Sequence, residues 1–173
     1  PGAPRRPPQT WWRQPQASLA MGYEVAVTPL QLAVAYAAIA NGGELLAPAL
    51  VKEVRAPDGD VRYRHERRVV RRVIGEPVAA TLRALLTGVV EDGTATEAGL
   101  AMYALGGKTG TPRRTVNGRY APMQYNPNFV GLFPADAPQL VIVVKLTNPQ
   151  GNFYGGGTPA PMSVRAIRRR VPL

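Results

Sequence analysis

The chain predicts an α+β fold. Two stretches, Leu30–Ala40 and Val78–Val89, repeat apolar residues at helical spacing. Leu140-Val141-Ile142-Val143-Val144 is a nearly continuous β-branched run, the pattern of a buried strand. The elements also come in separate runs rather than in strict alternation: helix, ribbon, helix, three antiparallel strands, helix.

Pro1 to Gln16 is Pro-rich and is expected to be extended and irregular, with Trp11 or Trp12 docked on the body. Residues 1–17 form this lead-in, and the single folded unit spans 18–173. Val25-Ala26-Val27 is a short extended piece leading to Thr28-Pro29, an N-cap followed by a proline suited to the first helical position. Leu30, Ala33, Ala37 and Ala40 follow at helical spacing with Tyr36 and Ile39 alongside, and Asn41-Gly42-Gly43 stops the helix. So much alanine predicts close packing against another element. Ala49 to Glu66 predicts a peripheral hairpin turning at Pro57-Asp58-Gly59-Asp60. A second helix begins near Glu76-Pro77, carries Val78, Leu82, Leu85, Leu86 and Val89 on one stripe, and ends at Asp92-Gly93. Leu105–Thr111 is strand-like, and Pro112, which has no N–H, ends pairing on that side. Arg113 to Asn126 is read as a polar loop, Asn128 to Phe133 as a strand, and Asn148 to Gly157 as a Gly-rich loop. A last helix, from about Thr158 to Arg170, directs Met162, Ala166 and Ile167 inward and Arg165, Arg168 and Arg169 outward.

At 173 residues, with 45% apolar and 18% charged content, the chain is long and apolar enough for one globular domain. No run of apolar residues suffices for a transmembrane helix, and the N-terminus has no apolar core of a signal peptide. Cysteine is absent, which excludes disulfides and thiolate chemistry. The net charge is +10. Its arginines are scattered in short groups without interleaved aromatics, and no nucleic-acid motif accompanies them, so the charge reads as solvated surface and no nucleic-acid partner is expected. His65 stands alone in a charged hairpin, and neither a metal nor a cofactor is expected.

The informative stretch is Leu105-Gly106-Gly107-Lys108-Thr109-Gly110-Thr111. Glycine within a strand usually marks a close approach to the backbone. Lys108 offers a fixed cation, and Thr109 and Thr111, two apart, share a face. The stretch reads as one edge of a binding cleft. A phosphate-binding P-loop would need glycine where Met102 stands and a helix starting at the lysine, which Pro112 forbids.

Taken in order, five blocks resemble the C-terminal half of the transpeptidase domain of class B penicillin-binding proteins. They are Met21-Gly22-Tyr23 with Val27-Thr28-Pro29-Leu30-Gln31-Leu32-Ala33; Val89-Val90 with Gly93-Thr94-Ala95; Gly107 to Thr111; Phe129-Val130-Gly131 with Pro134-Ala135-Asp136; and Tyr154-Gly155-Gly156 with Ala160-Pro161. Coverage runs from about Ser18 onward. Glu24 departs from the family's usual glycine, and Pro112 from its usual small residue. The resemblance implies the C-terminal part of a β-lactamase/transpeptidase-like fold. It implies peptidoglycan cross-linking: a serine in a Ser-x-x-Lys motif attacks the D-Ala-D-Ala end of a stem peptide, an amine of a neighbouring strand resolves the acyl-enzyme, and β-lactams acylate the same serine. It further implies that Lys108 supports the proton network. Lys108, Thr109, Gly110 and Thr111 would line the substrate, the two hydroxyls binding its terminal carboxylate and the Thr111 N–H supplying half of an oxyanion hole. Work outside the cytoplasmic membrane, with an anchor not in this chain, follows from the same resemblance.

The nucleophile is not in this sequence. Three residues before Lys52, Lys108 and Lys145, its only lysines, stand Ala49, Leu105 and Ile142. Ser18 and Ser163, the only serines, have no asparagine two residues on, so Ser-x-Asn is absent as well. Covalent catalysis needs a nucleophile beside a base. A companion chain or fragment carrying Ser-x-x-Lys and Ser-x-Asn is therefore expected, and the first strands of the sheet are expected to precede Pro1. A non-catalytic wall-peptide binding module and a structural or interaction module remain the alternatives.

Overall fold

The computed structural model describes residue 22 and residues 25–99 and 103–170; the expected lead-in over 1–17, with Trp11 and Trp12, lies outside them, as do Tyr23 and Glu24. Helix α1 is Pro29–Ala40. The Thr28 hydroxyl accepts from the Gln31 N–H while the Gln31 side chain accepts from the Thr28 N–H, closing a capping box. At the other end Gly42 and Gly43 take φ of 84° and 106°. A Cβ on Gly43 would sit 2.0 Å from the Ile74 carbonyl oxygen, so this reversal requires glycine.

Strands β1 (Glu44–Leu46) and β4 (Val69–Arg72) pair antiparallel, as do β2 (Glu53–Arg55) and β3 (Val61–Arg64). Bonds from the Ala47 N–H to the Arg68 carbonyl and from the His65 N–H to the Lys52 carbonyl join the two pairs into one ribbon. The ribbon is longer at its base than the expected hairpin. Glu44 pairs with Arg67 and Arg72, and Glu53 with Arg55 and Arg64. Helix α2 (Glu76–Glu91) follows, with Arg83 donating to the Ile39 carbonyl at 3.1 Å and so satisfying the open end of α1. A 3-10 turn, Thr96–Ala98, leads toward the sheet.

The main sheet has the order β5-β8-β9, from Gly106–Gly110, Asn128–Phe133 and Leu140–Lys145, all antiparallel, with Lys108 opposite Val130 and Val130 opposite Val143. Alternation sends Phe129 and Phe133 to one face and Val130 and Leu132 to the other, and all four are buried. On the phenylalanine face Ala160, Val164 and Ile167 of helix α3 (Pro159–Arg170) join Val90, Ala95, Ala98 and Leu105 in the core.

Three expectations need correction. Arg113 to Asn126 is not a loop but a hairpin of β6 (Arg113–Val116) and β7 (Arg119–Tyr125). It turns at Asn117 and Gly118, with φ of 50° and 76°, the left-handed pair that two-residue hairpins favour. On α3 the inward line is Ala160, Ser163, Val164 and Ile167, whereas Met162 and Ala166 are exposed. On α2 the buried residues are Ala79 and Val90, with Leu82, Leu86 and Val89 half-buried; Val78 and Leu85 face outward. Helix α1 packs on β1, β9 and α2 as its alanines predict, though only Ala38 is fully buried and Leu30 is 47% exposed.

Candidate functional site

Strand β5 carries the Lys-Thr-Gly sequence at the margin of the main sheet: among the described residues it pairs with β8 on one side and with no strand on the other. Its glycines answer to packing. A Cβ on Gly107 would lie 2.3 Å from Phe129 Cζ and 2.7 Å from the Val130 carbonyl oxygen, whereas one on Gly106 would make ordinary contact with Leu86 and Ala135 at 3.5 Å. At Gly107 the close approach is thus made by the Phe129 ring and the neighbouring strand.

The two threonines hold the polar side. Thr109 Oγ1 lies 2.8 Å from Thr94 Oγ1, in the turn after α2. Thr111 Oγ1 accepts from the Gly155 N–H at 3.1 Å, in the loop before α3. A Cβ on Gly156 would fall 2.1 Å from the Thr94 carbonyl oxygen and 3.9 Å from Thr109 Cγ2. These two loops therefore touch one another and the same flank of the motif. Thr109 and Thr111 share a side, as their spacing predicts.

Lys108 is exposed, and its Nζ donates to the Thr109 carbonyl at 2.9 Å, lying along the strand. A groove of about 680 Å³ opens at the end of β5, lined by Gly110, Thr111 and Pro112, by residues 25–28 ahead of α1 and Pro29 at its start, and by Asn126, Asn128 and Lys145. Gly110 and Thr111 thus face a groove, while Lys108 and Thr109 lie beside it. Pro112 ends β5 as expected, and its carbonyl accepts from the Asn126 N–H.

Ser163 is no nucleophile. It is fully buried and its hydroxyl donates to the Ala160 carbonyl at 2.6 Å within α3. Sequence reasoning left unremarked a ladder of aromatic rings beside the site. Tyr125 and Phe153 stack at 4.3 Å and 7°, and Phe153 and Tyr154 at 4.7 Å. The signal was present in the adjacent pair Phe153-Tyr154 within a glycine-rich loop.

This geometry defines a class: an α+β scaffold presenting a lysine- and threonine-bearing edge strand with hydroxyls held by two glycine-bearing loops. The family model for the penicillin binding protein transpeptidase domain matches residues 3–168, and the chain belongs to that family. It is 37% identical over 155 residues to stage V sporulation protein D of Bacillus subtilis, which covers 89% of this chain and 24% of that protein. It is 34% identical over 151 residues to the probable peptidoglycan D,D-transpeptidase PenA of Neisseria flavescens, covering 87% of this chain and 35% of that one. Among solved structures, penicillin binding protein 3 of Mycobacterium tuberculosis complexed with aztreonam superposes with a TM-score of 0.81 at 30% identity, over 96% of this chain and 40% of that chain. The transpeptidase domain of Burkholderia pseudomallei penicillin-binding protein 3 gives 0.77 at 31%, over 96% and 49%. The chain thus spans between about a quarter and a half of the length of these relatives.

Proposed function

We propose that this chain forms part of a peptidoglycan D,D-transpeptidase domain, the wall of the active site that receives the stem peptide, and that the Ser-x-x-Lys nucleophile and Ser-x-Asn lie on a companion chain or fragment. The observation that carries the reading is the edge of β5 that no strand pairs among the described residues, with Thr109 and Thr111 held on one flank. An extended peptide can lie along such an edge, bonding its backbone to the strand. The hydroxyls of Thr109 and Thr111 take the peptide's terminal carboxylate, and the Thr111 N–H faces the oxyanion. Lys108, now resting on the Thr109 carbonyl, is unencumbered by any carboxylate within salt-bridge distance among the described residues and can swing toward the serine. Donors fixed where charge develops are worth about 10²–10³ in rate each.

The uncovered apolar surface supports the companion. A helix apolar all round belongs inside a protein. Helix α1 buries only Ala38, and Val25, Val27 and Leu30 beside it are 41%, 50% and 47% exposed. In this reading residues 18–173 are the C-terminal half of the domain and 1–17 a lead-in. The enzyme works on the extracytoplasmic face of the bacterial cytoplasmic membrane; among the described residues no helix is long and apolar enough to cross a membrane. β-Lactams enter as mimics of the stem peptide, in keeping with the aztreonam and ampicillin complexes of the tuberculosis protein.

A fluorescent penicillin tests this. The isolated chain should take no covalent label, and label should appear on the Ser-x-x-Lys polypeptide when both are present. Label on this chain alone would overturn the argument from the absent nucleophile. No label on the combined protein would leave a non-catalytic wall-peptide or interaction module.

A further inference from the structure

Thr94 lies outside the motif strand, yet its hydroxyl is the near neighbour of one of the motif's two hydroxyls, at 2.8 Å from Thr109 Oγ1. A threonine hydroxyl has one proton to donate and lone pairs that accept. If Thr109 donates to the substrate carboxylate, its proton is committed outward, and its bond with Thr94 must run from the Thr94 proton to the Thr109 oxygen. The same arrangement appears at the other hydroxyl. Thr111 Oγ1 accepts from the Gly155 N–H at 3.1 Å, which leaves the Thr111 proton to give. Each hydroxyl thus accepts one bond from a neighbouring loop and presents its own proton toward an anion. Successive bonds of this kind strengthen one another.

The Thr94 hydroxyl is held by more than its own rotamer. Ala95, the next residue, is fully buried and its N–H donates to the Val89 carbonyl at 3.0 Å. Gly93, the residue before, packs so closely on Val89 that a Cβ there would lie 2.8 Å from Val89 Cα. On the open side the Thr94 carbonyl abuts the Gly156 backbone. The turn is clamped between α2 and the loop before α3, which fixes the Thr94 hydroxyl beside Thr109 Oγ1.

We infer that Thr94 is a positioning residue: it donates to Thr109 Oγ1 and thereby orients the Thr109 proton at the carboxylate of the stem peptide or of a β-lactam, a role that rests on the carboxylate-binding reading above. Thr94 does not itself touch the substrate.

The test uses the transpeptidase complete with its Ser-x-x-Lys segment. Acylation rates are measured with benzylpenicillin and with its methyl ester, which lacks the anionic carboxylate. Thr94→Val keeps the shape and removes the hydroxyl; Thr94→Ser keeps the hydroxyl. One net hydrogen bond predicts that Thr94→Val slows acylation by the acid about five- to tenfold. The ester's rate should be unchanged, and Thr94→Ser should restore the acid's rate. Wild-type rates with the acid in Thr94→Val, or equal losses with acid and ester, would overturn the inference. Loss in Thr94→Ser equal to that in Thr94→Val would do so as well. A wild-type enzyme that does not prefer the acid to the ester would instead overturn the carboxylate-binding reading itself.

Discussion

Replacing Gly156 by alanine puts the two-loop clamp under load. Gly156 has no positive φ, so alanine fits its backbone and the effect is steric alone. The new Cβ would lie 2.1 Å from the Thr94 carbonyl oxygen and must retreat to at least 3.0 Å, a displacement of 0.9 Å or more. The Thr94 side has little freedom, since Ala95 is fully buried and bonded to Val89. The 155–156 loop therefore moves, and the Gly155 N–H, 3.1 Å from Thr111 Oγ1, leaves hydrogen-bond range. Overpacking of this kind costs about 1–3 kcal/mol, and a domain of 150–250 residues loses about 2–4 °C of Tm per kcal/mol. A 1 Å misplacement of substrate-binding groups costs about 10²-fold in rate. The assay pairs thermal unfolding of the complete transpeptidase with the second-order rate of acylation by a fluorescent penicillin. Both values should fall, acylation by far the more. A Gly156→Ala enzyme that acylates at the wild-type rate would refute the claim that these loops hold the hydroxyls in place.

Two further substitutions separate chemistry from packing. Lys108→Ala removes an exposed side chain whose one internal bond is to a neighbouring carbonyl, so stability should change by less than about 0.5 kcal/mol. Acylation should nonetheless drop by about 10² or more, and an unchanged rate would remove Lys108 from the site. Phe129→Ala empties a fully buried position whose ring lies over Gly107 and Gly131, and it should cost about 3–5 kcal/mol in urea unfolding. A loss below about 1 kcal/mol would mean that the sheet and α3 do not pack through this ring.

The α+β order was legible because each long element carries its own punctuation. Thr28-Pro29 and Asn41-Gly42-Gly43 bracket α1, and Gly75-Glu76-Pro77 opens α2. The hairpin of β6 and β7 was written as plainly, in the Asn117-Gly118 pair, but the charged residues around it pointed to a loop. Tertiary packing obscured the helix faces. Val78 and Leu85 fall on the same helical stripe as Leu82 and Leu86, yet they are 52% and 64% exposed. Periodicity reports which residues can share a face, not how wide a face this chain covers by itself. At the site, spacing alone placed Thr109 and Thr111 on one side, whereas their partners Thr94 and Gly155 come from 15 residues before Thr109 and 44 residues after Thr111. Only the fold makes those neighbours.

The motif's letters divide between two kinds of necessity. Gly107 is required by the Phe129 ring beneath it, whereas a Cβ on Gly110 would meet only the Asn128 side-chain amide, at 2.8–3.2 Å, which could turn aside. Gly155 is required by the strand itself, since its Cβ would meet the carbonyl oxygens of Gly110 and Asn128 at 2.8 Å. These glycines bring strand, loop and core into contact and contribute no side chain of their own. In the proposed function Lys108, Thr109 and Thr111 are the residues left to act on the peptide, and close packing sets Thr94 Oγ1 and the Gly155 N–H against the two hydroxyls. Substitution at a glycine should therefore disturb substrate binding through geometry, with stability falling alongside. Substitution at Lys108 should lower reactivity by about 10² or more in a protein that still folds.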